Sequence, residues 1–268
     1  MSYQCPLCHL SLSLTERTYR CANNHSFDLA KEGYVNLMPV QHKRSKDPGD
    51  NKEMMQARRR FLEHDYYAPL RDSVAKLCLE NNQSDQPTIL DIGCGEGYYT
   101  AYIAEKTQAQ VYGLDISKAM VKHAAKRYRE VDFTVASSQR LPFADNTLST
   151  IVRIYAPCQH DELYRTLKDQ GIIITVTPAA RHLYQLRELI YSDVRLHDEQ
   201  PEVIEGFELE SDEKLSYPMH LSGSDAYDLL QMTPFAWKAT PEVVNNLKAS
   251  ETFICETDFS VRVYRKTN

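Results

Sequence analysis

The sequence predicts an α/β fold in which an open, doubly wound sheet carries helices on both faces and follows a small N-terminal β-ribbon held by a metal. Residues 88–104 read as an apolar strand, a glycine-rich turn and a helix, the opening unit of such a sheet. Further apolar strands are indicated at residues 109–115, 150–155 and 171–178. Ahead of them, three cysteines and a histidine crowd into the first 25 residues at a spacing typical of metal ligands.

Length and composition describe a globular chain. The 268 residues are 42% hydrophobic and 25% charged, enough to bury a substantial core in one or two domains. The longest apolar run, residues 171–176, is far shorter than the roughly 20 residues of a membrane helix. The start MSYQCPLC lacks the basic-then-apolar order of a signal peptide. We therefore expect a cytoplasmic protein without a membrane partner.

Charge is distributed unevenly along the chain. The net charge is −6, yet residues 1–60 carry ten basic and six acidic side chains. This asymmetry indicates that an anionic partner, if there is one, docks at the N-terminal end, although a solvated basic loop or surface salt bridges would give the same pattern. The candidate phosphate contacts are Lys43, Arg44, Lys46, Arg58 and Arg59.

The cysteine-rich start predicts a structural zinc site. Cys5 and Cys8 form one close pair and Cys21 and His25 a second, so three thiolates and an imidazole can surround Zn²⁺ without leaving a position for water. Apolar and polar residues alternate from 10 to 15, which predicts a strand, and residues 18–20 are expected to pair with it in antiparallel fashion. A redox Cys-x-x-Cys is the alternative, but it requires a strand-to-helix setting rather than a ribbon.

A linker and two covering helices are expected next. Residues 38–49 are basic and interrupted by prolines, which indicates a loop. Apolar residues then recur at helical spacing up to about residue 65, which predicts a first helix. A second helix is predicted with Pro69 in its first turn. The apolar residues expected to face inward from this second helix are Leu70, Val74, Leu77 and Leu79. The predicted domains are a zinc module (1–37), the linker with its helices (38–85) and an α/β domain (86–268).

The glycine turn favours S-adenosylmethionine over a dinucleotide. Gly93, Gly95 and Gly97 are followed by Tyr98, where a dinucleotide fingerprint has a small residue. Asp91 precedes the turn, and a carboxylate there repels a pyrophosphate but attracts the cationic methionine end of S-adenosylmethionine. Asp115 ends the next strand, where an acid accepts ribose hydroxyls.

The remaining strands continue this pattern. Residues 135–143 resemble the third strand and adenine loop of class I methyltransferases, with Ser137 where many of those enzymes carry Asp. Residues 214–220 and 259–265 are expected to form the terminal strand pair of that Rossmann-like sheet.

The whole chain resembles the bacterial 23S ribosomal RNA guanine-N1 methyltransferases. The resemblance rests on the co-occurrence, in this order, of several segments. They are Cys5-Pro6-Leu7-Cys8 with Cys21 and His25, residues 27–37, residues 50–54 and 57–62, residues 90–99, and Pro178 with His182-Leu183.

This resemblance implies S-adenosylmethionine and structural zinc as cofactors, 23S rRNA as partner, and methylation of N1 of one guanine in a hairpin loop. It implies a donor cleft lined by Tyr67, Tyr99, Thr100, Asp115 and the His182-Leu183 turn. A homodimer is a candidate assembly. Because N1 lies on the paired edge of guanine, a loop base costs least to extrude. His160 and Asp161, beyond the fourth strand, are candidate proton acceptors, with a surface pair as the alternative.

Three other functions stay open at this point. Pro157-Cys158 follows the fourth strand, where cytosine-C5 methyltransferases place a cysteine nucleophile, although the partner motif Glu-Asn-Val is missing. Small-molecule methyltransferases share the same core. The non-enzymatic alternative is a zinc-ribbon RNA-binding protein whose methyltransferase domain is inactive. The presence of Asp91, Asp115 and the three glycines of the turn argues against it.

Overall fold

The fold combines an open eight-stranded sheet with a small three-stranded ribbon that packs against it. A computed structural model describes residues 3–39, 52–81 and 86–267. The strands within these ranges are β1 Ser13–Thr15, β2 Thr18–Arg20, β3 Ser26–Asp28, β4 Val35–Asn36, β5 Thr88–Ile92, β6 Gln110–Asp115, β7 Asp132–Val135, β8 Leu148–Ile154, β9 Leu167–Pro178, β10 Phe207–Leu221 and β11 Phe253–Lys266.

The helices cover both faces of the large sheet. They are α1 Lys52–Glu63, α2 Ala68–Glu80, α3 Tyr98–Thr107, α4 Lys118–Arg127, α5 His160–Thr166, α6 Tyr184–Glu188, α7 Gly223–Gln231, α8 Pro241–Ala249 and a 3₁₀ helix, Pro234–Lys238. One core cluster contains Phe61, Val74 and Phe259, and a second contains Leu90 and Phe143. Helices α1, α2 and α7 supply residues of the first cluster, whereas the second combines Leu163 of α5 with Tyr3, Cys5 and Leu12 of the N-terminal ribbon. Burying both faces of the sheet gives the layered architecture of an α/β domain.

The strand order places the crevice of the sheet at β5. The order is β10-β11-β9-β8-β5-β6-β7-β4, and β11 alone runs in the direction opposite to the other seven strands. The chain proceeds outward from β5 through β6 and β7, then returns to the other side with β8. This reversal is the switch point at which open α/β sheets bind ligands. The predicted fold class is confirmed, including the terminal pair formed by β10 and β11.

The ribbon packs against one face of the large sheet, in the core cluster that contains Leu90 and Tyr112. The Tyr3 ring lies 5.6 Å from Tyr112 and 5.5 Å from Phe143, and the Gln4 N–H donates to the Pro142 carbonyl at 2.9 Å. The predicted pairing of residues 18–20 with the preceding strand is present as β1 and β2.

Two strands of the N-terminal region were not expected from the sequence. β3 adds a third strand to the ribbon, and β4 pairs in parallel with β7, so that Val35 lies opposite Thr134. The last residues of the predicted zinc module thus form the edge of the large sheet.

One predicted core residue is wrong. Leu79 was expected to face inward from α2, but it is 50% exposed. Helical residues rotate by about 100° each, so Leu79 lies opposite Leu70 on the helix. Ala75 and Cys78 occupy the buried positions instead.

None of the described helices has the length and apolar character of a membrane span.

Candidate functional site

Four metal-ligand side chains converge in the ribbon. Cys5 Sγ lies 3.4 Å from His25 Nδ1, and Cys8 Sγ lies 3.6 Å from Cys21 Sγ. All four donor atoms lie within 4.8 Å of one another. A tetrahedral zinc with Zn–S bonds of about 2.3 Å keeps its ligands about 3.8 Å apart. The donor set and its spacing therefore fit a closed structural zinc site.

Each ligand pair is held by a tight turn of the backbone. The His9 N–H donates to the Cys5 carbonyl at 2.9 Å, and the Asn24 N–H donates to the Cys21 carbonyl at 2.9 Å. His9 and Asn24 both adopt left-handed conformations, with φ of 60° and 61°. These two turns direct both pairs of ligands toward one point.

The glycine turn between β5 and α3 borders an open space. Gly93, Gly95 and Gly97 have φ of 72°, 55° and 82°, which favour glycine. A Cβ on Gly93 would lie 2.7 Å from the Ala156 Cβ, and one on Gly97 would lie 2.9 Å from the Phe133 ring. A Cβ on Gly95 would meet nothing within 4 Å. Packing thus explains the outer glycines, whereas Gly95 leaves room for a ligand to approach the backbone.

Asp91 is a buried carboxylate beneath this turn. It is 2% exposed and accepts a hydrogen bond of 2.6 Å from the Thr100 hydroxyl. Burial raises the pKa of Asp91 to about 7, an effect that the Thr100 hydrogen bond opposes and nearby Asp115 reinforces. A cation in the crevice would favour the ionised form of this carboxylate.

Asp115 forms hydrogen bonds with the loop after β5 and with the loop after β6. Its carboxylate accepts the Gly95 N–H at 3.0 Å and the Ser117 N–H at 2.7 Å. Each carboxylate oxygen has about two acceptor sites, so ribose hydroxyls can be accepted in addition. The Asp115 carboxylate therefore lies beside Gly95 with acceptor sites left for further hydrogen-bond donors.

Aromatic rings form a wall along the carboxyl edge of the sheet. The Tyr67 ring, just before α2, lies 5.3 Å from Phe259, and the His182 ring lies 4.7 Å from Phe259 on β11. Tyr99, in the first turn of α3, packs against the core cluster that contains Tyr67 and Phe259. Predicted cofactor-binding residues from three distant segments thus come together around the crevice.

His182 is held as a neutral imidazole within this wall. Its Nδ1 accepts the Asp258 N–H at 3.2 Å, and its Nε2 lies 3.2 Å from the Tyr155 hydroxyl. Burial lowers the pKa of His182 to about 3, so the ring is uncharged at neutral pH and carries its proton on Nε2. Neighbouring Leu183, at φ 52°, donates its N–H to the Glu256 carbonyl at 2.9 Å and begins α6.

Tyr155 was missed by the sequence reasoning. It directly follows β8, has φ 56°, and remains 48% exposed. The available signal was its position at the carboxyl end of an apolar strand, where ligand-contacting residues of this fold cluster.

Three other predicted site residues follow β7 and β8: Ser137 lies in the loop after β7, and His160 and Asp161 begin helix α5. The Ser137 hydroxyl accepts the Gln139 N–H at 3.1 Å. His160 Nε2 lies 2.8 Å from a carboxylate oxygen of Glu202, and Asp161 is exposed in the first turn of α5. The structure therefore pairs His160 with an acid of the loop after α6.

Two of the five predicted phosphate contacts, Arg58 and Arg59, lie within the described residues. Arg58 donates to the Met232 carbonyl at 3.4 Å, whereas Arg59 makes two hydrogen bonds of 2.8 and 2.5 Å to Glu96. Lys43, Arg44 and Lys46 lie outside the described residues.

Cys158 has the properties of an unreactive thiol. It is half-buried and its Sγ lies 3.2 Å from the Ser138 carbonyl. Burial raises the pKa of this thiol to about 12. Since the thiolate is the nucleophilic form, almost none is present at neutral pH.

The parallel sheet, the glycine turn and the acids at the ends of β5 and β6 define a class I, S-adenosylmethionine-dependent methyltransferase. In agreement, the family model described as "Methyltransferase domain" matches residues 89–171, and the one described as "RlmA, N-terminal" matches residues 3–46.

Similarity to individual proteins extends over nearly the whole chain. YxjB of Bacillus subtilis (strain 168) is 30% identical over 277 residues, covering 98% of this chain and 97% of its own. A Streptomyces fradiae protein named 23S rRNA (guanine(748)-N(1))-methyltransferase is 30% identical over 265 residues, covering 96% of this chain and 94% of its own. The chain belongs to the family of 23S rRNA (guanine-N1)-methyltransferases, which confirms the resemblance seen in the sequence.

Proposed function

We propose that this protein transfers a methyl group from S-adenosylmethionine to N1 of one guanine in a hairpin loop of 23S rRNA. The observation that carries the proposal is the combination of two sites in one chain. The Asp91–glycine turn site suits a cationic nucleoside donor, and the zinc-ligand ribbon is packed against the same sheet. Near full-length similarity to the Streptomyces fradiae enzyme supports the same substrate.

The donor would occupy the crevice beside Gly95. Asp115 would accept the ribose hydroxyls, while ionised Asp91 would attract the positive charge of the methionine end. S-adenosylmethionine supplies an electrophilic methyl group on its sulfonium. The full set of proposed donor-binding residues is Tyr67, Asp91, Gly93, Gly95, Gly97, Tyr99, Thr100, Asp115, Ser137, His182 and Leu183.

The N-terminal third of the chain would hold the RNA. We assign residues 1–37 to the RNA-recognising zinc module, 38–85 to the basic linker with its covering helices, and 86–268 to the methyl-transferring domain. Lys43, Arg44, Lys46, Arg58 and Arg59 are the proposed phosphate contacts. For Arg59 a phosphate would have to compete with Glu96, its present partner.

The chemistry requires positioning rather than a covalent intermediate. The target guanine must leave its stack so that N1 reaches the donor, which costs a few kcal/mol and least in a loop. The N1–carbon bond forms as the carbon–sulfur bond breaks, the bonding pair stays on sulfur, and the N1 proton leaves to water or to a base. His160 and Asp161 remain candidates for that base.

In vitro methylation tests this proposal. The purified protein would be incubated with S-adenosylmethionine and 23S rRNA from cells that lack the gene, and the RNA digested to nucleosides for mass spectrometry. We expect one equivalent of 1-methylguanosine, located by a reverse-transcription stop. 5-Methylcytidine would instead support the Cys158 alternative, and unmodified RNA with donor turnover on a small molecule would contradict the proposal.

Two finer expectations accompany this function. We propose a cytoplasmic location, testable by fractionation. Homodimerisation stays a prediction that sedimentation equilibrium can test.

A further inference from the structure

Tyr155 is an exposed aromatic residue held rigidly beside the donor site. It is 48% exposed although it directly follows the buried strand β8. The next residue, Ala156, packs against the glycine turn, since a Cβ on Gly93 would lie 2.7 Å from the Ala156 Cβ. Tyr155 therefore stands at the edge of the crevice that Gly93 and Gly95 form.

The orientation of this ring is fixed at both ends. At the backbone, φ of 56° is a conformation that bulky residues seldom adopt and that tends to persist at functional sites. At the other end, the hydroxyl lies 3.2 Å from His182 Nε2. Because the Asp258 N–H occupies His182 Nδ1, the Nε2 proton donates to the Tyr155 oxygen. A ring constrained in this way keeps one surface toward solvent at little entropic cost.

We propose that Tyr155 is the platform on which the extruded target base stacks, and that His182 is the positioning residue that holds the platform. This inference rests on the proposed function, because it names the residue that receives the guanine. Unstacking a base exposes its faces to water, and an aromatic side chain restores part of the lost stacking. A ring beside the glycine turn would hold the base close to the methyl donor.

The first test compares two matched leucine variants. Tyr155→Leu removes the platform, whereas Tyr164→Leu removes an exposed tyrosine on α5 that packs against Phe207. Losing one base–aromatic stack should lower the single-turnover methylation rate at saturating RNA by roughly 10- to 100-fold in Tyr155→Leu. The Tyr164→Leu rate should stay within about twofold of the wild type. Donor affinity, measured by calorimetry, should be unchanged in both, which shows that the variants are folded.

A second measurement does not depend on activity. 2-Aminopurine placed at the target position of an RNA hairpin fluoresces when it is unstacked. The complex with wild-type protein should be dimmer than the complex with Tyr155→Leu, because the wild-type ring stacks on the extruded base. His182→Asn retains an acceptor for the Asp258 N–H but loses the contact to Tyr155. We therefore expect its complex to show an emission intermediate between those of the wild-type and Tyr155→Leu complexes.

The outcomes separate the two proposals. If wild-type protein forms 1-methylguanosine while Tyr155→Leu matches Tyr164→Leu in rate and in 2-aminopurine emission, the platform is disproved and the proposed function stands. If the wild-type protein leaves guanine unmodified, the proposed function fails first.

Discussion

At the scale of single residues, burial makes the ionised form of Asp91 electrostatically costly. A buried carboxylate loses its hydration, and one hydrogen bond from Thr100 compensates only in part. Such a group is costly to keep ionised without a positive partner. We therefore regard Asp91 as half of an ion pair whose other half is the bound donor.

Asp91 gives a testable pH dependence. With a pKa of about 7, its ionised fraction rises roughly eightfold between pH 6 and pH 7.5, and S-adenosylmethionine affinity measured by calorimetry should rise with it. Asp91→Asn should bind more weakly and without this dependence. The matched control is Asp169→Asn, an exposed acid at the start of β9, which should behave as wild type.

The same titration affects stability with the opposite sign. The folded protein keeps a proton on Asp91 between pH 4 and 7 that the unfolded chain releases, so this group's contribution to stability is lost as pH rises. For donor binding, the contradicting outcome would be an S-adenosylmethionine affinity of Asp91→Asn that still rises with pH as it does in the wild type.

Sequence reasoning identified the residues whose chemistry is local. Gly93, Gly95 and Asp91 lie within five positions of one another, so their spacing alone indicates a donor turn. The Tyr155–His182 contact joins residues 27 positions apart. Such a pair depends on the order of β8 and β9 in the sheet, which the sequence pattern does not specify.

At the scale of elements, the ribbon is too small to be stable alone. Its strands have three residues each, and strands β1 and β3 expose most of their side chains. A ribbon of this size needs a metal or a neighbouring surface. Here the contacts of Tyr3 with Tyr112 and Phe143 supply the neighbouring surface.

Zinc removal should therefore affect RNA binding more than donor binding. We expect Cys8→Ser to lose its one equivalent of zinc, measured by atomic absorption, and to bind hairpin RNA at least about tenfold more weakly. Its S-adenosylmethionine affinity should stay within about twofold of the wild type, because Asp91 and the glycine turn belong to another element.

Cys158→Ala is the matched cysteine control for that prediction. It should retain both zinc and methylation, since Cys158 lies outside the ligand cluster. Normal RNA binding by zinc-free Cys8→Ser would argue against a role for the ribbon, and loss of methylation in Cys158→Ala would revive the cytosine-C5 alternative.

Elements with regular patterning were predictable, and short edge elements were not. The apolar runs of β5, β8 and β9 stand out in the sequence, whereas Val35–Asn36 has only two residues and acquires its strand conformation by pairing with β7. Leu79 was misassigned because one apolar residue fits either side of a helix until its neighbours are known.

At the scale of the whole molecule, the sign of the charge differs between the N-terminal region and the rest of the chain. The first 60 residues are basic in balance, while the net charge of the chain is −6. An acidic body repels RNA from most of its surface, so phosphate attraction is concentrated near the N-terminal region. The packing of Tyr3 against Tyr112 and Phe143 could not be predicted from the sequence, since these residues lie 109 and 140 positions away.

This charge distribution predicts the salt dependence of RNA affinity. Replacing Lys43, Arg44 and Lys46 by Ala should reduce the slope of log affinity against log salt concentration by about 2, at about 0.7 per lost phosphate contact on single strands. Replacing Lys76, Lys106 and Lys168 by Ala removes the same charge elsewhere and should leave the slope unchanged. Equal slopes in both variants, measured by fluorescence anisotropy, would mean that the linker does not contact phosphate.

Nucleoside analysis of 23S rRNA from living cells tests the central claim most directly. Deleting the gene should abolish 1-methylguanosine at one hairpin-loop guanine, and the wild-type chain should restore it. Asp115→Asn, which retains an acceptor for the Ser117 N–H but lacks the carboxylate, should not restore it. Unchanged 1-methylguanosine after deletion, or full restoration by Asp115→Asn, would contradict the account.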